Sequence, residues 1–191
     1  MSTARTGRLG RPPAAAPPSP GFTVFATAVG PCAIAWSEQG ITALQLPAAS
    51  ATATALRLQR SCLGAQRRAP PASVEHAIEA IRALLTGEAQ DLDDIELDWR
   101  GLSAFERQVY AAARALGPGA TCTYGELAAR IGSPGAARAV GGALGRNPFP
   151  LIVPCHRVLA SGGRAGGFSA PGGVATKRRL LQIEGLAGLR R

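Results

Sequence analysis

Apolar and polar residues alternate along the chain from Phe22 onward. Three short segments rich in β-branched, aromatic and small apolar residues are separated by turn-forming residues, and they read FTVFATAV, CAIAW and ITALQLP. This alternation predicts a three-stranded antiparallel meander. A shorter alternation occurs in DLDDIELDW, where Ile95, Leu97 and Trp99 alternate with acidic residues, and it predicts an edge strand.

Helical periodicity of apolar residues appears first between these strand-like segments. It predicts one helix over about residues 51–60 and a second that follows Ser73 and ends at Gly87. The second helix places its apolar residues on one face, namely Val74, Ala77, Ile78, Ile81, Leu84 and Leu85. His76 falls outside this face, so we interpret it as a solvated residue and not as a ligand.

In the second half of the chain, capping signals predict where the helices begin. Capping boxes at Ser103–Glu106 and Thr123–Glu126 predict two helix starts, and Ser133-Pro134 predicts a third. The last two helices, joined by a tight turn, predict a helix-turn-helix. The third helix contains Gly141 and Gly142, which each cost about 1 kcal/mol relative to alanine. Either close helix packing or contact with a nucleic acid backbone explains them, and the neighbouring Arg138 and Arg146 favour the nucleic acid.

The pattern divides the 191 residues into four parts. We expect a disordered Pro/Arg-rich tail over 1–21, an α/β domain over 22–99, a mostly helical domain over 100–186 and a short tail over 187–191. The predicted fold class is therefore α+β. No stretch approaches about 18 consecutive apolar residues, which argues against a membrane span and for a soluble globular protein.

Charge is distributed unevenly between the two halves. Residues 1–98 hold 8 Lys and Arg against 9 Asp and Glu, whereas residues 99–191 hold 13 against 3. A concentrated positive field predicts a polyanionic partner such as nucleic acid, although basic charge also keeps proteins in solution. The four cysteines show no C-x-x-C pairing and the two histidines have no metal-ligand spacing, which predicts a reducing compartment and no metal.

The segment LIVPCHRVLASGGRAGGFS carries the candidate chemistry. Residues 151–153 predict a short buried strand that Pro154 ends just before Cys155. A free thiol is only slightly ionised at neutral pH, and His156 with Arg157 offers a base and positive surroundings. A buried structural cysteine is the alternative. Cys32, Cys62 and Cys122 have no such neighbours, and we interpret them as structural.

The run RAVGGALGRNPFPLIVPCHRV, with GGFSAPGG and KRRLLQIEG beyond it, resembles the O6-alkylguanine-DNA alkyltransferases over about residues 100–186. The resemblance implies a ribonuclease-H-like amino-terminal domain and a helix-turn-helix domain with an active-site cysteine. It implies stoichiometric transfer of a methyl or alkyl group from O6-alkylguanine, and from O4-alkylthymine, to Cys155. Phe168 stands where many members have tyrosine and Ala170 where glycine is common, and both positions bear on the accepted alkyl size.

The resemblance also implies residue roles. Cys155 matches the nucleophile, His156 and Glu184 the relay that removes the thiol proton through a water, and Asn147 the asparagine that braces the helix-turn-helix. Tyr124 matches the tyrosine that contacts the extruded base. The DNA-contacting residues are Arg138 as an intercalating finger, with Ala137, Gly141 and Gly142 beside it. The remaining substrate-pocket residues are Leu144, Val158, Phe168, Ser169 and Lys177.

The expected partner is double-stranded DNA containing O6-alkylguanine. The resemblance implies a monomer, acting singly or cooperatively on DNA, in the bacterial cytoplasm or nucleoid, without a cofactor. Three other interpretations stay open: a cysteine hydrolase, a helix-turn-helix regulator, and a non-repairing alkyltransferase-like protein. Proteins of the last class carry tryptophan at the cysteine position, which this chain does not.

Overall fold

The structure, a computed structural model, describes residues 19–186 and has a mixed α+β fold. The strands are β1 (Gly21–Thr27), β2 (Gly30–Ser37), β3 (Gly40–Gln45), β4 (Gln66–Arg67), β5 (Cys122–Thr123) and β6 (Val158–Leu159). The α-helices are α1 (Ala51–Ser61), α2 (Ala72–Thr86), α3 (Ala104–Arg114), α4 (Tyr124–Arg130), α5 (Ala137–Gly145) and α6 (Gly173–Ile183). Most of the predicted tail over 1–21 and the whole of that over 187–191 lie outside the described residues.

The predicted meander is confirmed, and it belongs to a larger sheet. β1 pairs antiparallel with β2 and β2 with β3, while β4 pairs parallel with β1, so that the strand order is β3-β2-β1-β4. β1 begins at Gly21, one residue before the predicted start. β4 was not predicted, because two exposed residues carry no periodicity.

Both faces of the sheet are covered at β2. Cys32, Ile34 and Trp36 pack into the main core, while the alternate residues Ala33 and Ala35 pack under α1. Successive side chains of a strand point to opposite faces, so the sequence CAIAW places large residues on one face and small ones on the other. The small face is where α1 approaches the sheet.

The second helix begins earlier than the sequence predicts. α2 starts at Ala72 with Pro71 as its N-cap, so Ser73 lies inside the helix and does not cap it. Proline provides the extended backbone that a helix entry needs, without a side-chain cap. The predicted end is confirmed, since Gly87 adopts φ 96° at the C-cap. His76 is exposed, and its Nε2 lies 2.6 Å from Asp94 Oδ2.

The predicted edge strand over 91–99 is wrong. Only one bridge forms, between Ile41 and Leu97, because a turn closed by Ile95 N–H to Leu92 O occupies the start of the segment. The apolar residues of the pattern still face inward, since Ile95 and Leu97 are buried. The alternation therefore predicted the burial of Ile95 and Leu97 correctly, but it predicted neither the secondary structure nor the burial of Asp98.

One hydrophobic core connects the two predicted domains. It extends from β2 and β3 through α2, α3, α4 and α5 to Cys155 and α6. Both capping boxes are confirmed at the starts of α3 and α4, where Ser103 and Thr123 each exchange hydrogen bonds with a glutamate three residues later. Within residues 19–186 no helix is both long and apolar enough to cross a membrane.

Candidate active site

Cys155 lies at the start of a 3-10 helix, Cys155–Arg157, and not at the end of a strand. The predicted strand over 151–153 is wrong, because Leu151 has φ 74°, a turn conformation, and only Val153 forms a bridge, to Pro150. Asn147 holds this turn by donating from Nδ2 to Val153 O at 2.8 Å and accepting from Phe149 N–H at 2.9 Å. In a continuous strand the side chains of Cys155 and His156 would point to opposite faces, whereas this helical turn does not force them apart in that way.

The thiol opens into a cavity of about 740 Å³. The sequence-predicted residues that line it are Tyr124, Ala137, Arg138, Gly141, Leu144, Cys155, Phe168 and Ser169. Parallel pairing of β5 with β6 sets Cys122 beside Val158 and so carries Tyr124, which follows β5, toward the cysteine. Segments far apart in sequence therefore converge on one space with the thiol in its wall.

Behind the cavity His156 and Glu184 form a buried pair. Nε2 of His156 lies 2.8 Å from Oε1 of Glu184, and the side chains are 1% and 3% exposed. Burial lowers the pKa of His156. Nδ1 of His156 is buried and makes no hydrogen bond within residues 19–186. A neutral imidazole that is anchored through one nitrogen keeps the other available to accept a proton.

Arg157 pairs with Glu184, and this differs from the role beside the thiol that its position in the sequence predicts. Its Nε donates to both oxygens of Glu184, at 3.1 and 2.9 Å, and Nη2 adds a third bond at 2.8 Å. Nη1 donates to the carbonyl of Leu116. Its charge is therefore neutralised by the glutamate, and it does not supply the positive surroundings of Cys155. Desolvation would raise the pKa of Glu184, but hydrogen bonds from His156 and Arg157 lower it to about 2.

A signal for this pairing was present in the sequence. The second half contains only three acidic residues, and Glu106 and Glu126 both stand in capping boxes. Glu184 is the one left to balance an arginine inside a buried segment, because buried charges require a partner.

Lys177 approaches the site from α6. It is fully buried, its Nζ donates to Val158 O at 2.6 Å, and the same atom lies 5.7 Å from the centre of the Tyr124 ring. Burial lowers the pKa of Lys177 to about 8. Lys177 and Val158 thus support the pocket from behind and do not line the cavity.

Burial also determines the state of the thiol. Desolvation raises the pKa of Cys155, and the polar side chain of Asn147 and the charge of Lys177 oppose this effect only in part. The resting thiol is therefore protonated at neutral pH and needs a base. Among residues 19–186 no group of His, Cys, Asp and Glu is arranged to hold a metal ion.

The helix-turn-helix consists of α4 and α5, but α5 starts at Ala137 and not at Ser133-Pro134. Gly135 has φ 94°, and this left-handed conformation delays the helix start. Arg138 is exposed on the first turn of α5. A Cβ at Gly141 would meet the Tyr124 ring at 3.8 Å, and one at Gly142 would meet Arg146 at 3.6 Å, which are ordinary contacts. Internal packing therefore does not require either glycine.

Comparisons with known proteins point to one family. The family model described as 6-O-methylguanine DNA methyltransferase, DNA binding domain, matches residues 104–186. A methylated-DNA–protein-cysteine methyltransferase of Methanothermobacter thermautotrophicus is 38% identical over 154 residues, which cover 81% of this chain and 79% of the relative. The chain belongs to the methylated-DNA–protein-cysteine methyltransferase family.

One further relative and one solved structure support the same family. The methyltransferase of the same name from Mycolicibacterium paratuberculosis is 46% identical over 114 residues, covering 60% of this chain and 67% of the relative. Mycobacterium tuberculosis OGT in complex with DNA matches with a TM-score of 0.69 at 35% identity, over 85% of this chain and 91% of that one. The family expected from the sequence is confirmed, whereas the roles of individual residues stay predictions.

Proposed function

We propose that this protein repairs double-stranded DNA by moving a methyl or alkyl group from O6-alkylguanine to Cys155, once per molecule. The observation that carries the proposal is that Cys155 lines a large cavity, while the adjoining His156 forms a buried pair with Glu184, the residue that ends α6. Membership of the methyltransferase family supports the same chemistry. O4-alkylthymine, which presents an equivalent alkyl ether, is proposed as a second substrate.

The proposed chemistry starts with proton removal. Nδ1 of His156 accepts the proton of the Cys155 thiol through a water, and Glu184 stabilises the imidazolium through Nε2. The thiolate then attacks the alkyl carbon, a carbon–sulfur bond forms, and the carbon–O6 bond breaks with its electron pair moving to the guanine. Burial raises the pKa of Tyr124, so its phenol stays protonated and donates a hydrogen bond to the departing oxygen.

We assign the recognition of the base to the walls of the cavity. Ser169, Phe168 and Leu144 line it beside Cys155. Lys177 fixes the carbonyl of Val158 by its 2.6 Å hydrogen bond, which orients that peptide toward the site. The resulting arrangement offers hydrogen-bonding groups and an aromatic wall to a planar base.

DNA binding is assigned to α5. A lesion inside a stacked duplex lies beyond the reach of a buried thiol, so the nucleotide must be extruded at a cost of a few kcal/mol. Exposed Arg138 is placed at the cavity edge, where it fills the gap in the duplex. Gly141 and Gly142, together with Ala137, allow the helix backbone to approach the DNA closely.

The proposal also covers the oligomeric state, the location, the amino-terminal fold and the need for a cofactor. We propose action as a monomer, because every group in the chemistry comes from one chain, and the cytoplasm or nucleoid as its location. The amino-terminal sheet, in which an antiparallel meander is extended by a parallel strand, supports the ribonuclease-H-like assignment. No cofactor is needed, since the thiol supplies the nucleophile and the broken ether the leaving group.

The number of transfers per molecule tests this function. With a molar excess of O6-methylguanine duplex, transfer should stop at one methyl group per protein, because a thioether does not release its alkyl group. Radiolabelled methyl transfer measures the plateau. Continued turnover, or steady hydrolysis of a p-nitrophenyl ester by Cys155, would instead identify a cysteine hydrolase.

A further inference from the structure

Tyr110 is a fully buried tyrosine on α3 that has no part in the chemistry proposed above. Its hydroxyl donates a hydrogen bond of 2.9 Å to the carbonyl of Ala143 in α5. Burial raises the pKa of Tyr110 to about 12, so the hydroxyl keeps its proton at neutral pH and remains a donor. A buried hydroxyl is costly without a partner, and here the partner belongs to the helix assigned to DNA binding.

The carbonyl of Ala143 lies in the last turn of α5, where the helical hydrogen bonds end. It also accepts the N–H of Arg146 at 3.0 Å, a bond that spans three residues instead of four. A second contact reaches the same turn from α3, because Glu106 Oε1 lies 3.1 and 3.0 Å from Nε and Nη2 of Arg146. Glu106 and Tyr110 are four residues apart and therefore share one face of α3. The end of α5 is thus held at two points by one helix.

Hydrogen bonds connect the end of α5 to the reactive cysteine. Asn147 follows α5 by two residues, and its Nδ2 donates to Val153 O at 2.8 Å. The same oxygen accepts the N–H of Cys155, also at 2.8 Å. Leu144, which follows Ala143 in the last turn, lines the large cavity together with Cys155. A displacement of this turn would therefore move both the backbone support of the thiol and one wall of the cavity.

We propose that Tyr110 is a positioning residue for alkyl transfer, because its hydroxyl fixes the last turn of α5 and thereby the place of Cys155 opposite the extruded base. This inference rests on the proposed function. Displacement requires the sulfur, the attacked carbon and O6 to lie in line, and a misplacement of about 1 Å can slow a reaction by up to about a hundredfold. Tyr110 does not line the large cavity, so it acts through Ala143 and Asn147 and not by contact with the substrate.

Tyr110→Phe removes this hydroxyl alone and provides the test. Single-turnover rates at saturating protein are measured on an O6-methylguanine duplex and on the free O6-methylguanine base. The transfer plateau with excess duplex counts the protein molecules that are able to react. Replacement of Tyr110 by 4-aminophenylalanine restores a donor at the same place.

Thr54→Val is the matched control. Thr54 is fully buried in α1, and its hydroxyl donates to Ser50 O at 2.9 Å, but the residue lines no part of the large cavity. This variant therefore removes a buried, hydrogen-bonded hydroxyl without releasing the end of α5.

Tyr110→Phe should keep a plateau of one methyl group per molecule and react about tenfold more slowly with both substrates, because the thiol is misplaced toward each of them. The 4-aminophenylalanine variant and Thr54→Val should react at the wild-type rate. In combination with Asn147→Ala, Tyr110→Phe should slow transfer by less than about a further twofold, since both changes release the same turn.

An unchanged rate in Tyr110→Phe, or a loss confined to the duplex, would overturn this inference. A loss of reactive molecules, partial or complete, with no slower reaction in the remainder would leave the hydroxyl a purely structural role and would overturn it as well. The same holds for equal slowing by Thr54→Val, for no recovery with 4-aminophenylalanine, and for full multiplication of the effects of Tyr110→Phe and Asn147→Ala. Failure of the wild type to transfer methyl would overturn the proposed function instead.

Discussion

The reactive cysteine differs from the other three in its neighbours and not in the ease of its ionisation. Burial raises the pKa of every cysteine in the chain, and that of Cys32 reaches about 11. Among residues 19–186, which include all four cysteines, only Cys155 both borders the large cavity and adjoins a histidine that is fixed by a carboxylate. The thiol is therefore protonated in the resting protein, and in the proposed function it is activated by transfer of its proton to His156.

Glu184 links this chemistry to stability. Its pKa falls from 4.5 to about 2 in the folded protein, which corresponds to about 3 kcal/mol of stability. Because folding lowers this pKa, the contribution is complete above pH 4.5 and is lost as the pH falls through about 2. Glu184→Gln should therefore lower the free energy of unfolding by about 3 kcal/mol or more at pH 7 and by less at pH 3. Urea denaturation at the two pH values measures this.

Asp98→Asn is the matched control for that variant. Hydrogen bonds from Arg100 lower the pKa of Asp98 to about 2, but this residue lies in the first half and lines no cavity next to Cys155. It should share the acid-dependent loss of stability and keep the wild-type transfer rate, whereas Glu184→Gln should slow transfer. Wild-type transfer by Glu184→Gln would show that the glutamate has only a structural role.

At the scale of elements, α5 shows a conflict between helix propensity and function. Two adjacent glycines weaken the helix, yet a Cβ at Gly142 would make only an ordinary contact. Gly142→Ala should therefore stabilise the free protein by up to about 1 kcal/mol in urea denaturation. The same methyl group should weaken duplex binding about tenfold, because it blocks the close approach of the backbone.

The reaction with free O6-methylguanine base controls for this effect, since a base without a duplex does not meet the surface of α5. Its rate should not change in Gly142→Ala. Duplex binding as tight as that of the wild type would show that the glycine does not face DNA.

Arg138 tests whether α5 extrudes the base or only holds the backbone. If its side chain replaces the extruded guanine, Arg138→Ala should slow duplex repair about tenfold for each 1.4 kcal/mol added to extrusion. Single-turnover transfer at saturating protein should show this loss on duplex and none on the free base. Arg130→Ala, which removes an exposed arginine on the last turn of α4, is the matched control and should be rescued by saturation. Full rescue of Arg138→Ala at saturation would contradict the finger role.

At the scale of the whole molecule, local patterns predicted the elements whose causes are local. The meander, α1 and the capping boxes of α3 and α4 follow from alternation, periodicity and side-chain caps over a few residues. The edge strand, the strand over 151–153 and the start of α5 were predicted incorrectly. Their backbone depends on turns at positions such as Leu151 and Gly135, which apolar pattern does not encode.

The site was also predicted only in part, because some of its contacts join segments that are distant in the sequence. The motif around Cys155 and the family resemblance identified most residues that line the large cavity. The ion pair of Arg157 with Glu184 was not predicted. It joins segments that are distant in the chain, and only their packing around one core brings the two side chains together.

The most direct test of the central claim is the mass of the intact protein after incubation with an O6-methylguanine duplex. The account predicts a single gain of about 14 Da, since a methyl group replaces the thiol proton, and peptide mapping should place it on Cys155. Cys155→Ser should bind the duplex and gain no mass, and Cys122→Ser should behave as the wild type. A methyl group on another residue, or repaired DNA with an unmodified protein, would contradict the account.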